Sequence, residues 1–218
     1  MSSFDTKYLI AKTFVDLCKN SSIAKVSISD IIEKTGKNRK TFYYHFDDKN
    51  ALISWVFRYD MGKLLKDRFP ESMLVYESPT SEDPKAIFPY YITKKSGVRS
   101  LNHAAFYDSF AKVLEARRRF YQEALGENSP RSLRNYLYDL YLPAMINDIN
   151  IILSNRYLPE KNIEFLGEFY TCAWLYYFIR KIDQPGTQEL VSDVYPFNNI
   201  IHSSLESEIK QAQMRRNL

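Results

Sequence analysis

Apolar residues recur along most of this chain at intervals of three and four, the spacing of helices with one buried face. Over residues 5–20 the predicted stripe runs through Tyr8, Leu9, Ala11, Lys12, Val15 and Cys18. "VSISDIIEKTG" follows at 26–36. Ser27 and Asp30 stand three apart ahead of Ile31 and Ile32, as in a capping box with Asp in place of the usual Glu. Gly36 ends that helix after two turns, where a residue with positive φ is needed. Asn38 is a good N-cap for a second short helix reaching about His45. Asp48 then caps a longer one over about 50–68. Two short helices joined by a Gly-containing turn predict a helix-turn-helix.

The pattern fades and then returns. Residues 70–97, "PESMLVYESPTSEDPKAIFPYYITKKSG", hold four prolines and no sustained period. Residues 70–99 therefore read as an irregular connection, longer than compact domains usually carry. Helical spacing resumes over 102–116, 117–125, 132–155 and 161–183, with breaks at "GENSP", "YLPE" and "QPG". Thr187 is placed to cap a final segment broken at Pro196. The stretch 165–182, "FLGEFYTCAWLYYFIRKI", is apolar on nearly every side, so it is either a central core helix or a helix that meets a partner. Gly167, Cys172 and Ala173 are small enough to permit close helix approach.

The segment "GKNRKTFYYHFDDK" at 36–49 crowds three cations, four aromatics and a histidine into its first eleven positions. Helical angles separate them, because successive residues lie about 100° apart. With Phe42 and Phe46 turned inward, Lys40 and Tyr44 project from the opposite face, Thr41 and Tyr43 flank it, and Arg39 reaches out near the start. Each buried phenylalanine contributes roughly 1.5–3 kcal/mol. The outer face offers Arg for guanine edges, Lys and Tyr for phosphates, and a Thr methyl for thymine. His45 sits at the boundary between the faces. Lys49 opens the next helix, where free N–H groups favour an anion.

Charge sharpens this reading. Residues 1–69 carry 13 Lys/Arg against 8 Asp/Glu, while the other 149 carry 17 against 18, so the positive field belongs to the first third. That asymmetry suits a polyanionic partner. With only 6 glycines and 9 prolines in 218 residues, the chain is read as mostly helical. Cys18 and Cys172 lie inside apolar patterns, and three scattered histidines make no metal pattern. The start "MSSFDTKYLIAK" has no apolar run of signal-peptide length. The longest apolar run, Phe169–Ile179, is far short of the about twenty residues a bilayer needs. The chain is expected to be cytoplasmic, with no membrane partner, cofactor or metal.

The run "VSISDIIEKTGKNRKTFYYHFDDKNALI" resembles the DNA-binding motif of the tetracycline-repressor (TetR/AcrR) family, through Gly36, Thr41, the aromatic pair 42–43, "HF" at 45–46 and "K-x-x-L" at 49–52. The similarity covers about the first 60 residues. Lys37 and Ile32 depart from it, since the family commonly has an apolar and a small residue there. "TFYYHFDDKNALISWVFRYD" is similar to the branch that includes the dihydroxyacetone-kinase activator. The resemblance implies an all-α fold: a three-helix DNA-binding domain at 1–60, a linking helix at about 49–69, and a helical effector-binding and dimerisation domain at 70–218. It puts Ser27, Arg39, Lys40, Thr41, Tyr43, Tyr44, His45 and Lys49 on DNA. It also implies a homodimer through the penultimate helix, a palindromic operator, and repression released by a small-molecule effector. Phe106, Phe110, Tyr138, Tyr141, Trp174 and Tyr177 are candidates to line the effector pocket, although aromatics at this spacing are more often plain core. Arg117–Arg119 read as a solvated basic face or an attractor of an anionic effector. The competing classes are a DNA-binding protein without an effector and an enzyme built on the C-terminal helices. Against the enzyme, there is no Gly-rich phosphate loop, no metal-ligand cluster and no nucleophile motif.

Overall fold

The computed structural model describes residues 2–77, 85–184, 190 and 195–216. Four helices open the chain. Helix α1 (Ser3–Cys18) starts on a Ser2/Asp5 capping box. Its buried face holds Ile10, Ala11, Phe14, Val15 and Cys18, so the stripe lies closer to Ile10 and Phe14 than to Tyr8 and Lys12, which are exposed. Helix α2 (Ile28–Thr35) carries the Ser27/Asp30 box, and Gly36 follows it at φ 64, in the left-handed region. Helix α3 (Arg39–His45) is capped by Asn38, whose side chain accepts from the Thr41 N–H at 2.8 Å. Helix α4 (Lys49–Arg68) is capped by Asp48, which accepts from the Ala51 N–H at 2.7 Å. It packs on α1 and also on α5 (Ala104–Ala116) and α7 (Leu133–Leu153), so one helix serves both halves of the chain.

The connection is more ordered than its sequence suggests. A 3-10 turn at Glu71–Met73 leads into β1 (Leu74–Val75), which pairs antiparallel with β2 (Tyr91–Ile92), Leu74 opposite Ile92. A second pair joins β3 (Lys95–Gly97) to β4 (Ser100–Leu101). The strap is pinned by Arg58 of α4, whose side chain is fully buried. Its guanidinium donates to Glu77 at 2.5 Å, to the Tyr136 hydroxyl at 3.0 Å, and to the carbonyls of Lys85 and Phe88 at 2.9 and 2.8 Å. A buried cation stands only where it is paired and hydrogen-bonded, and here backbone carbonyls of the strap supply half of its bonds.

Helices α6 (Arg118–Gly126), α8 (Glu160–Asp183) and α9 (Tyr195–Arg216) complete the bundle with α5 and α7. Pro196 lies in the first turn of α9, a position that suits proline, and does not break the segment. Thr187, expected to cap that segment, lies outside the described residues. Helices α7 and α8 pack closely, because a Cβ at Gly167 would fall 2.6 Å from Ile146 Cγ1. The small residue therefore brings α8 against its own neighbour. Cys172 is exposed, contrary to its apolar pattern, because α8 buries Leu166, Tyr170, Trp174, Leu175 and Phe178 on its opposite side.

Candidate nucleic-acid interface

Helix α3 divides as its angles demand. Phe42 is fully buried and Phe46 almost so. The two rings lie 5.9 Å apart, and Phe46 meets Trp55 of α4 edge-on at 6.1 Å. On the other side Lys40 is exposed, Tyr44 is 80% exposed and Tyr43 is 49% exposed with its ring edge-on to Phe42. A hydroxylated, cationic surface thus stands over a hydrocarbon anchor.

Other predicted residues have partners within the chain. Arg39 is exposed and donates to Ser29 Oγ at 2.8 Å, which ties the start of α3 to α2. Thr41 is half-buried, its hydroxyl donating to Asn38 Oδ1 at 3.0 Å, so it completes the cap while its methyl stays on the flank. Ser27 accepts from the Asp30 N–H at 3.2 Å and donates to Asp30 Oδ2 at 2.8 Å. The Ser27 backbone N–H, which donates to Asp30 Oδ2 at 2.8 Å, and then the Ser27 hydroxyl hold the Asp30 carboxyl below its ordinary pKa. His45 is half-buried beside Tyr44, their rings 4.9 Å apart, and burial followed by the Lys7 charge lowers its pKa. Lys49 turns inward: its ammonium donates to the carbonyls of Ile23 at 2.7 Å and Val26 at 3.2 Å, closing the loop between α1 and α2. Lys34 also stands exposed in the last turn of α2, with Lys37 half-buried in the turn. Neither is among the residues expected on DNA; Lys37 lies two residues and Lys34 five residues before Arg39, the start of α3.

The aromatic candidates split. Phe106, Phe110, Tyr141 and Trp174 are all buried and touch one another, with Trp174 edge-on to Phe106 at 5.6 Å, to Phe110 at 5.1 Å and to Tyr141 at 5.2 Å. Tyr138 and Tyr177 are half-buried. Burial, and then the charge of Glu168, raises the Tyr138 pKa. Tyr177 lies under the Lys181 ammonium at 5.5 Å. The Tyr141 hydroxyl and the Trp174 indole N–H are buried without a hydrogen-bond partner among the described residues.

Arg117 and Arg118 are half-buried and Arg119 is exposed, and each has a partner within the chain. Arg117 donates to Asp60 at 2.7 Å, Arg118 reaches the Lys181 carbonyl at 3.5 Å and Arg119 reaches the Lys19 carbonyl at 3.1 Å.

Residues 19–55 match the model of bacterial regulatory proteins of the tetR family, and residues 103–185 match the family's transcriptional regulator C-terminal region. Together the two cover more than half of the chain. It belongs to the tetR family of transcriptional regulators. Its helix-turn-helix is thus a DNA-binding one. A 65-residue stretch, 30% of the chain, is 37% identical to the HTH-type dhaKLM operon transcriptional activator DhaS of Lactococcus lactis subsp. lactis strain IL1403. That match spans 35% of the activator's length. Among solved structures, the dihydroxyacetone kinase operon activator DhaS superposes with a TM-score of 0.54 at 17% identity, covering 93% of this chain and 97% of that one. GusR of Salmonella enterica gives 0.54 at 15% identity, covering 94% and 96%. At those identities the likeness is one of fold. Among the described residues no helix is long and apolar enough to cross a membrane.

Proposed function

We propose that this tetR-family protein acts as a homodimer on a palindromic operator, each α3 entering one major groove, and that a small molecule bound among the C-terminal helices releases it. The outward face of α3 carries this reading: Lys40 and Tyr44 stand free above a buried Phe42. Lys40, Tyr43, Tyr44 and Arg39 make the contacts to bases and phosphates. Ser27, Thr41, His45 and Lys49 hold the motif in register, with the Ser27 hydroxyl and the half-buried imidazole at the rim within reach of a phosphate.

The dimer is supported by α8. Phe165, Phe169, Cys172 and Tyr176 follow one another at steps of four, three and four, and all are exposed, Phe165 by 63%. Ile200 and Met214 of α9 are exposed as well. An apolar row of that length marks an interaction surface, and a second copy covers it with the same row. The effector is supported by the unpartnered hydroxyl of Tyr141 and indole N–H of Trp174, since buried polar groups normally find partners. An operator that overlaps a promoter is closed by occupancy, which gives repression.

Competition binding at matched salt tests the function. The purified protein should hold DNA from its own upstream region ~10³-fold more tightly than random duplex. Equal affinity for both would remove the sequence-specific regulator. A promoter reporter fixes the sign, and transcription that rises with the protein would make it an activator, as its Lactococcus relative is named.

A further inference from the structure

The tip of the β3–β4 hairpin faces solvent. Lys95, Ser96 and Gly97 are exposed, and Val98, in the turn, is 97% exposed. Within six residues it carries Lys94, Lys95 and Arg99. Its root is firm: Leu101 is buried, the Asn102 N–H donates to the Lys94 carbonyl at 2.7 Å, and β4 packs on α7. Just past the end of α7, on which the hairpin is rooted, Arg156 donates to Glu206 of α9 at 2.6 Å. Helix α9 in turn borders the first half of α8, where Glu208 lines a groove with Lys161, Phe165 and Leu166.

That half of α8 has the complementary character. Glu160, Glu164 and Glu168 recur every four residues and are exposed, beside the exposed Phe165 and Phe169. An apolar tip flanked by cations on one element thus faces solvent, as does an apolar row edged by carboxylates on another.

We propose that each hairpin reaches across the dimer onto the α8 of the second copy. Val98 packs beside Phe165 and Phe169, and Lys95 and Arg99 face Glu160, Glu164 and Glu168. The proposal rests on the dimer inferred above. A two-fold axis makes the contact twice, which doubles the weight of ion pairs that are individually weak at a surface. Their main effect is to fix the pairing of the two copies and exclude other partners.

Charge reversal with sedimentation equilibrium tests it. Lys95→Glu with Arg99→Glu should weaken the dimer about tenfold, the equivalent of ~1.4 kcal/mol over the symmetric contact. Glu160→Lys with Glu164→Lys should weaken it similarly, and the four changes combined should restore it. All four side chains are exposed, so each variant should melt like the parent. A parent dimer that ignores the hairpin reversal, or a combined variant as weak as its halves, overturns the hairpin contact and leaves the dimer standing. A parent that stays monomeric overturns the dimer itself, and the hairpin contact with it.

Discussion

At the scale of single residues, neighbours in sequence do opposite work. Phe42 is fully enclosed, so Phe42→Ala removes a core ring and should cost about 3–5 kcal/mol, read as a fall in the unfolding midpoint. A parent-like denaturation curve would place Phe42 outside the core. Lys40→Ala and Tyr43→Ala should instead cut operator affinity while leaving the melting temperature nearly unchanged, since surface changes usually stay within ±0.5 kcal/mol. Loss of stability in either would show that the outer face is packed. This division was legible because a 100° step sorts residues without any tertiary knowledge. What was not legible is the direction of long polar side chains. Lys49 turns to the carbonyls of Ile23 and Val26, more than twenty residues away, and nothing local to "DDKN" encodes that. Arg58 is the larger surprise: an arginine within an apolar helix pattern becomes the fully buried pin of the strap. Ser27 is the reverse case, a cap announced by its spacing to Asp30.

At the scale of elements, caps and small residues set where helices stop and how closely they meet. Burial alone would raise the Asp48 pKa, but the Ala51 N–H and the Arg131 guanidinium outweigh it and hold the carboxyl below its ordinary value. A depressed folded-state pKa adds stability above the unfolded value and loses it as pH falls through the folded one. Asp48→Asn keeps a good cap and loses only an exposed ion pair. Chemical denaturation should thus show little change at pH 7 and a shallower loss of stability below about pH 4. A variant as acid-sensitive as the parent would take Asp48 out of that linkage. Gly167→Ala weighs two effects against each other. Alanine gains about 0.8–1 kcal/mol in helix propensity, while its Cβ would collide with Ile146 at 2.6 Å, and overpacking costs about 1–3 kcal/mol. The collision should win, lowering the unfolding midpoint, and Ile146→Ala in the same chain should recover part of the loss. Helix spans were largely readable, because turn breakers and caps are local. The strand pairs within 70–101 were not, since strands of two or three residues carry no period, and the first pair is held by Arg58 and the packing of Tyr91.

At the scale of the whole molecule, the stretch Arg117 to Arg131 ties the first half of the chain to the second, beside the α4 helix that both halves share. Glu123 accepts from the Ile23 N–H at 2.6 Å, Arg131 reaches Asp48 at 2.9 Å, and Tyr121 donates to Asp60 at 2.8 Å beside Arg117. The helix-turn-helix is therefore clamped at its first loop, at the cap of α4 and midway along α4. Sequence alone offered only three consecutive arginines, because the carboxylates and carbonyls that receive this stretch lie dozens of residues away, before it at Lys19, Asp48 and Asp60 and after it at Lys181. A clamped reading head has a consequence for the operator. If each α3 is held rigidly to its own bundle, and the bundles to each other, the two helices can meet only half-sites that share one face of the duplex. Such half-sites lie about one helical turn, 10–10.5 base pairs, or a multiple of it apart. Inserting about half a turn between the halves of a mapped operator should rotate one to the far side and leave a single contact. Its affinity should fall towards that of an isolated half-site, and restoring a full turn should recover only what the dimer can span. Affinity that ignores the half-turn insertion in a titration would mean that the reading heads swing independently, and the contacts from Arg117 to Arg131 would not be the rigid link inferred from their geometry.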